Sequence, residues 1–307
     1  MKVWLDTSSL KERHYQKFIQ SFPNVLFITD LKRASEAEVA ICSPHLVHKE
    51  ILDQLPHLKW IQLMSAGYDA CDLNYVKHRK LMISYAKDVY SIQIAEDVIS
   101  KILYFNRNLG IYHEQFKSKT WQNITSKREL FGATIGIIGS GSIGDEIAKR
   151  LKPFQTRILG YRRSKITSPF YEAIYHEKEG LEKLLTSSDY VILSVPLTEE
   201  TYHLISKREL SLMKDTAILI NIARGKIIDQ DALIEALNAN LIGGAALDVT
   251  DPEPLPKNHP LWDAKNLFIT PHNSAIGPKM HERLFNQLSI SLNAYLEGIT
   301  LDNLITL

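Results

Sequence analysis

The run Ile135-Gly136-Ile137-Ile138-Gly139-Ser140-Gly141-Ser142-Ile143-Gly144 constrains this chain more than any other stretch. A β-branched apolar run predicts a strand, and glycines spaced Gly-x-Gly-x-x-Gly predict a tight turn that opens directly into a helix. Gly139 permits the turn, Gly141 lets backbone N–H groups approach a pyrophosphate with no Cβ in the way, and Gly144 lets the helix lie close to the sheet. The uncapped N–H groups at the helix start, on Ser142, Ile143 and Gly144, favour an anion. Residues 145–151 read as that helix and 156–161 as the next strand. Together they make one βαβ unit of the length that binds a dinucleotide.

At the end of the second strand, a site for NAD(H) places a carboxylate to accept hydrogen bonds from the adenosine ribose hydroxyls. Here the chain has Tyr161-Arg162-Arg163-Ser164. A guanidinium offers a planar fork for a 2′-phosphate and a face for adenine, and Ser164 adds a hydroxyl donor. The expectation is NADP(H) in preference to NAD(H).

A chain of 307 residues can bury more than one core, so two lobes are expected. A net charge of +1 with no dense basic block argues against a nucleic-acid partner. Cys42 and Cys71 show no zinc-type spacing, so neither a metal site nor a disulfide framework is expected. Met1-Lys2-Val3-Trp4-Leu5-Asp6 meets an acid before a signal-type apolar region develops, and no apolar stretch approaches membrane-spanning length. The expectation is a cytoplasmic protein without a membrane partner.

Apolar runs at 2–5, 25–28, 39–42, 60–64 and 82–85, with a helical pattern at 8–22, predict a small α/β lobe. A long helical pattern covers 92–108, and a polar, aromatic segment spans 110–129. Strands are then expected at 190–195, 217–222, 244–249 and 267–270, and a last amphipathic helix at 278–297. Asn221-Ile222-Ala223-Arg224-Gly225, the stretch from Asp248 through Glu253 to Leu255, and Thr270-Pro271-His272 close three of these strands. Ligands of open α/β sheets sit beyond the carboxyl ends of the strands, so Arg, Glu and His should arrive at one edge.

These loops, the Gly139 turn, Val195-Pro196-Leu197-Thr198 and His259-Pro260-Leu261-Trp262 occur in an order and spacing that resembles the D-2-hydroxyacid dehydrogenases over nearly the whole chain. Ile94-Ala95-Glu96 resembles a signature of the glyoxylate and hydroxypyruvate reductase-like group. The resemblance implies a doubly wound, parallel-sheet (Rossmann) cofactor domain, residues 94–275. It would be inserted into a smaller flavodoxin-like α/β substrate domain, residues 1–93 plus 276–307. It implies two hinge helices, a cleft that closes over the substrate, and a homodimer formed through the 110–129 arm. With the chain ending soon after Asn303, no regulatory domain of the longer phosphoglycerate dehydrogenase type is expected.

Reducing a 2-keto acid needs a hydride on C2, a proton on the carbonyl oxygen and a cation to hold the carboxylate. By resemblance His272 is the proton donor, Glu253 orients it and favours its imidazolium, and Arg224 holds carboxylate and carbonyl. Asp248 would bind the nicotinamide carboxamide, while Val195, Pro196 and Ala223 line the cofactor. Ser65-Ala66-Gly67 resembles the loop whose N–H groups take the substrate carboxylate. Glu253, where a formate dehydrogenase would have Gln, argues for proton transfer to a keto acid. Some relatives are corepressors that respond to nicotinamide nucleotides, so the alternative is a nucleotide-sensing binding protein with little turnover.

Overall fold

Strands covered on both faces read as unbroken apolar runs rather than alternating ones. Residues Thr134–Ile138, Tyr190–Leu193, Ile218–Asn221 and Gly244–Leu247 are buried at every position, as are Val39–Cys42 and Trp60–Leu63. A computed structural model describes residues 1–307 apart from Ser9, Ser164 and Ile166. In chain order it contains β1 (Lys2–Leu5), α1 (Glu12–Gln20), β2 (Leu26–Ile28), β3 (Val39–Cys42), α2 (Lys49–Leu52), β4 (Trp60–Leu63), α3 (Leu73–His78) and β5 (Met82–Ser84). There follow α4 (Ser91–Asn106), α5 (Leu109–Lys117), β6 (Thr134–Ile138), α6 (Ser142–Leu151), β7 (Arg157–Tyr161), β8 (Ala173–Tyr175) and α7 (Lys178–Ser187). Last come β9 (Tyr190–Leu193), α8 (Lys207–Leu212), β10 (Ile218–Asn221), α9 (Gln230–Asn238), β11 (Gly244–Leu247), β12 (Leu267–Ile269) and α10 (Met280–Leu296). The chain divides into two units, Met1–Tyr90 with Gly277–Leu307, and Ser91–Ile276.

The first unit is a five-stranded parallel sheet in the order β2-β1-β3-β4-β5. Successive side chains of a strand face opposite sides. Val3 and Leu5 accordingly join a core with Phe18 of α1 and Leu284, Leu288 and Leu292 of α10, whereas Trp4 joins one with Leu52, Leu55 and Val76. Asn303, 1 % exposed, fastens the C-terminal segment, donating from Nδ2 to the Tyr85 carbonyl at 2.7 Å.

The second unit is a seven-stranded sheet in the order β12-β11-β10-β9-β6-β7-β8. All its pairings are parallel, so every strand ends at the same edge. Strand order reverses between β6 and β9, the kind of crevice where open α/β sheets bind nucleotides. Leu184, Leu219, Leu233 and Leu247 belong to one large core of this unit. The long helical pattern at 92–108 is interrupted because Asn108 adopts a left-handed φ of 53°, which ends α4 and starts α5. Among the described residues, no helix is long and apolar enough to cross a membrane.

Candidate active site

The turn after β6 is set by contact with β9. Gly139 has a φ of 102°, and a Cβ there would lie 2.6 Å from the Ser194 carbonyl carbon, so only glycine fits. β9 ends at Leu193 rather than at the expected residue 195, although the Ser194 N–H still donates to the Ile138 carbonyl of β6 at 2.8 Å. At Gly141 a Cβ would meet nothing within 4 Å, so the space before α6 is open. Ser142, Ile143 and Gly144 form the first turn of that helix, and no side chain caps it. Among the described residues Ser140 Oγ is buried without a hydrogen-bond partner, and Ser142 Oγ lies 2.9 Å from Ser91 Oγ of α4. An open cradle faced by helix N–H groups and an orphaned hydroxyl fits the pyrophosphate of a dinucleotide.

Arg162 and Arg163 directly follow β7. The Arg162 guanidinium, half-buried, donates from Nη1 to the Ser140 carbonyl at 2.7 Å, while Arg163 is exposed. Ser164 lies outside the described residues. Val195 and Pro196 follow β9, and Ala223 follows β10, where its N–H bonds Asn221 Oδ1 at 3.0 Å.

Arg224, Glu253 and His272 stand on the loops after β10, β11 and β12, which are neighbours in the sheet. His272 Nδ1 lies 2.7 Å from Glu253 Oε2, and the other carboxylate oxygen accepts the Thr250 N–H at 3.0 Å. Both side chains are partly open to solvent. His272 has a φ of 47°, an uncommon conformation for a residue with a Cβ. Its loop is held in that shape by Asp248, 1 % exposed. Asp248 Oδ1 accepts from Thr270 Oγ1 at 2.6 Å and the Asn273 N–H at 3.1 Å, and Oδ2 accepts from the Ser274 N–H at 3.0 Å. Burial opposes the charge on Asp248, but bonds from Ser274, Thr270 and Asn273 outweigh it and hold its carboxyl below the ordinary range. The carboxylate expected to bind the nicotinamide carboxamide also shapes the histidine loop.

The Arg224 loop is shaped by Asn221, fully buried, whose Nδ2 donates to the Arg224 carbonyl at 2.8 Å. Arg224 Nη1 donates to the Ala223 carbonyl at 2.6 Å. Gly225 then passes so close to the Glu253 loop that a Cβ would lie 2.1 Å from the Thr250 carbonyl carbon. Gln230 of α9 braces the same loop, accepting the Asp251 N–H at 3.0 Å and donating to the Asp251 carbonyl. Gln230, Thr250 and Thr270 escape sequence reasoning because a bracing polar residue carries no spacing signature; only their nearness to strand ends hints at them.

In the first unit, Ser65, Ala66 and Gly67 follow β4 at that sheet's carboxyl edge and are half-buried. Ser65 Oγ donates to the Gly67 carbonyl at 2.6 Å, which curls the loop. Among the described residues, the Ala66 and Gly67 N–H groups have no hydrogen-bond partner. Burial, helped by Asp69, pushes the Cys71 thiol up to about 12, away from thiolate character.

A doubly wound sheet with a nucleotide-type glycine turn and an Arg, Glu and His set at one edge defines a nicotinamide-dependent dehydrogenase. Residues 99–274 match the NAD binding domain of the D-isomer specific 2-hydroxyacid dehydrogenases. The chain is 37 % identical over 257 residues to a glyoxylate reductase of Thermococcus gammatolerans, covering 81 % of this chain and 76 % of that one. Among solved structures it is similar to a family member from Aeromonas salmonicida, with a TM-score of 0.85 and 29 % identity over 99 % of this chain and 98 % of that one. It is also similar to an acyclic imino acid reductase, Bsp5, in complex with NADPH and D-Arg, with a TM-score of 0.86 and 26 % identity over 100 % of both chains. The chain belongs to the D-isomer specific 2-hydroxyacid dehydrogenase family, and it is an NAD(P)-dependent enzyme of that family.

Because Thr250 meets Gly225 through backbone atoms, neither side can give way. Gly225→Ala should cost more than about 1 kcal/mol, as backbone displacement in a packed interior does, and should lower kcat at least tenfold. Urea unfolding and steady-state rates check this, and a variant with wild-type values of both would show that the two loops move independently.

Proposed function

We propose that the protein reduces a small 2-keto acid, of the size of glyoxylate or hydroxypyruvate, to the D-2-hydroxy acid, with NADPH preferred to NADH. The 2.7 Å contact between His272 Nδ1 and Glu253 Oε2 carries this reading. A carboxylate that accepts from Nδ1 leaves Nε2 as the working nitrogen and fixes the ring's orientation. The dinucleotide, when bound, supplies the hydride. The chain supplies the rest. Gly139, Gly141, Ser142, Ile143 and Gly144 hold the pyrophosphate, and Val195, Pro196 and Ala223 line the cofactor's site. Arg224 pairs with the substrate carboxylate and polarises the carbonyl, for which a permanent planar charge suits it. His272 gives its proton to the oxygen on C2. Asp248 acts by keeping the histidine loop in its left-handed turn.

His272→Ala should lower kcat by about two to four decades, the usual worth of general acid catalysis, while cofactor binding stays within twofold. The assay follows NADPH oxidation with glyoxylate, hydroxypyruvate, pyruvate, phenylpyruvate and branched 2-keto acids, each also supplied with an amine. Turnover of imines alone, or cofactor binding without turnover, would overturn the proposal; the second outcome would favour a nucleotide sensor.

The preference for NADPH is supported by Arg162 and Arg163 at the end of β7, where a carboxylate would select NADH. Replacing Arg162 by Asp should lower the NADPH to NADH ratio of kcat/KM at least tenfold, since it sets a carboxylate against a phosphate. An unchanged ratio would remove Arg162 from the 2′-phosphate site.

A homodimer is proposed through the segment after α4. Phe116 is 81 % exposed and Trp121 fully exposed, with Leu109 and Ile111 about half exposed, an apolar surface that soluble proteins normally cover. Light scattering should give twice the chain mass for the wild type and one chain mass for Phe116→Asp with Trp121→Asp; a monomeric wild type refutes the dimer.

A further inference from the structure

We propose that Asp145 on the first turn of α6 is a specificity-determining residue for the cofactor: it opposes a 2′-phosphate and draws Arg162 inward, so that the enzyme keeps the use of NADH. The inference rests on the reading of Arg162 given above and adds the residue that limits it.

Arg162 is not poised in solvent. Its guanidinium is half-buried and bonds the Ser140 carbonyl, inside the glycine turn. Asp145 belongs to the same turn, because its N–H donates to the Gly141 carbonyl at 2.7 Å and closes the first turn of the helix. One Asp145 carboxylate oxygen, Oδ1, is buried. A third group completes the cluster. The ring of Tyr171 lies against Gly160 on β7, where a Cβ would come within 2.9 Å of it, and its hydroxyl is buried. Burial pushes the Tyr171 hydroxyl up, the charge of Asp145 and a hydrogen bond with it push it further, and Arg162 pulls it down; Arg162 and Asp145 both meet the glycine turn, at the Ser140 and Gly141 carbonyls. Asp145, Arg162 and Tyr171 thus stand around the glycine turn and β7.

An acid beside that turn bears on the choice between a ribose hydroxyl and a ribose phosphate. A carboxylate near the ribose accepts from a 2′-hydroxyl and repels a 2′-phosphate, which is why such acids select NADH at the end of the second strand. In this chain the strand end carries Arg162, and the acid comes from the helix instead. It competes with the phosphate for the same guanidinium. Asp145 is also the sole acid in the first turn of α6, where its charge adds to the repulsion felt by any further phosphate.

The test is direct binding, read from the fluorescence of NADPH and NADH with no substrate present. Asp145→Asn keeps the side-chain shape and should tighten NADPH about tenfold or more, the size of one charge-assisted contact, with NADH unchanged or weakened. Asp145→Ser should repeat the result if Asn disturbs the helix, and Tm reports on folding for both. Arg162→Ala separates this inference from the reading beneath it. If that variant leaves the NADPH to NADH ratio of Kd unchanged, the reading of Arg162 fails. If it alters the ratio while neither Asp145 variant does, or if they weaken NADPH, the inference about Asp145 is overturned.

Discussion

One buried carboxylate organises the chemistry of the second unit. Asp248 accepts from Thr270, Asn273 and Ser274, and its carbonyl accepts the His272 N–H at 2.7 Å. A left-handed turn at a residue with a Cβ costs about 1–3 kcal/mol and persists only where the surroundings over-determine it. Bonds to an ionised group contribute about 1.5–3 kcal/mol each, so the anchor outweighs the strain. Because the folded-state carboxyl lies below its ordinary range, this stabilisation is complete above the pH at which an unfolded Asp ionises. It is lost only as pH falls through the lower, folded value.

The site is an outcome of sheet order. β10, β11 and β12 are adjacent and parallel, so residues far apart in the chain, Arg224, Glu253 and His272, stand on adjoining loops. Contact then couples those loops. Gly225 leaves no room between its own backbone and Thr250, Thr250 holds the carboxylate that holds His272, and Gln230 clasps Asp251 from the far side. A displacement at any one of them is transmitted to the imidazole.

Legibility in the sequence followed how local the physics is. The Gly139 turn shows because a steric demand that only glycine meets appears as a glycine, and buried parallel strands show as apolar runs. The segments 173–175 and 178–187 escaped that reading. β8 is a half-buried edge strand of three residues, and α7 carries Gly180 in its first turn. α9 is legible in its sequence, where Ala232, Leu233, Ala236 and Leu237 mark a buried face at helical spacing. Least legible were partnerships between distant residues. Nothing in the order of residues tells that Arg162 turns in to Ser140, or that Asp248 spends its carboxylate on Thr270, Asn273 and Ser274. Those pairings exist only once the strands have set the loops side by side.

The first unit is built from both ends of the chain, and this bears on how the protein is made. Val3, Leu5, Val39 and Trp60 share their core with Leu284, Leu288, Leu292 and Leu301, and Trp60 stacks on Tyr295 at 4.7 Å. During synthesis, β1 to β5 emerge long before those partners exist, whereas Ser91–Ile276 is a continuous stretch with its own core. Domains with a complete core fold as units when they leave the ribosome. The later stretch therefore matures first, and the earlier sheet must wait, one apolar face covered only in part by α1, until α10 is delivered. Truncation before residue 301 would leave an incompletely covered sheet rather than a slightly shorter enzyme.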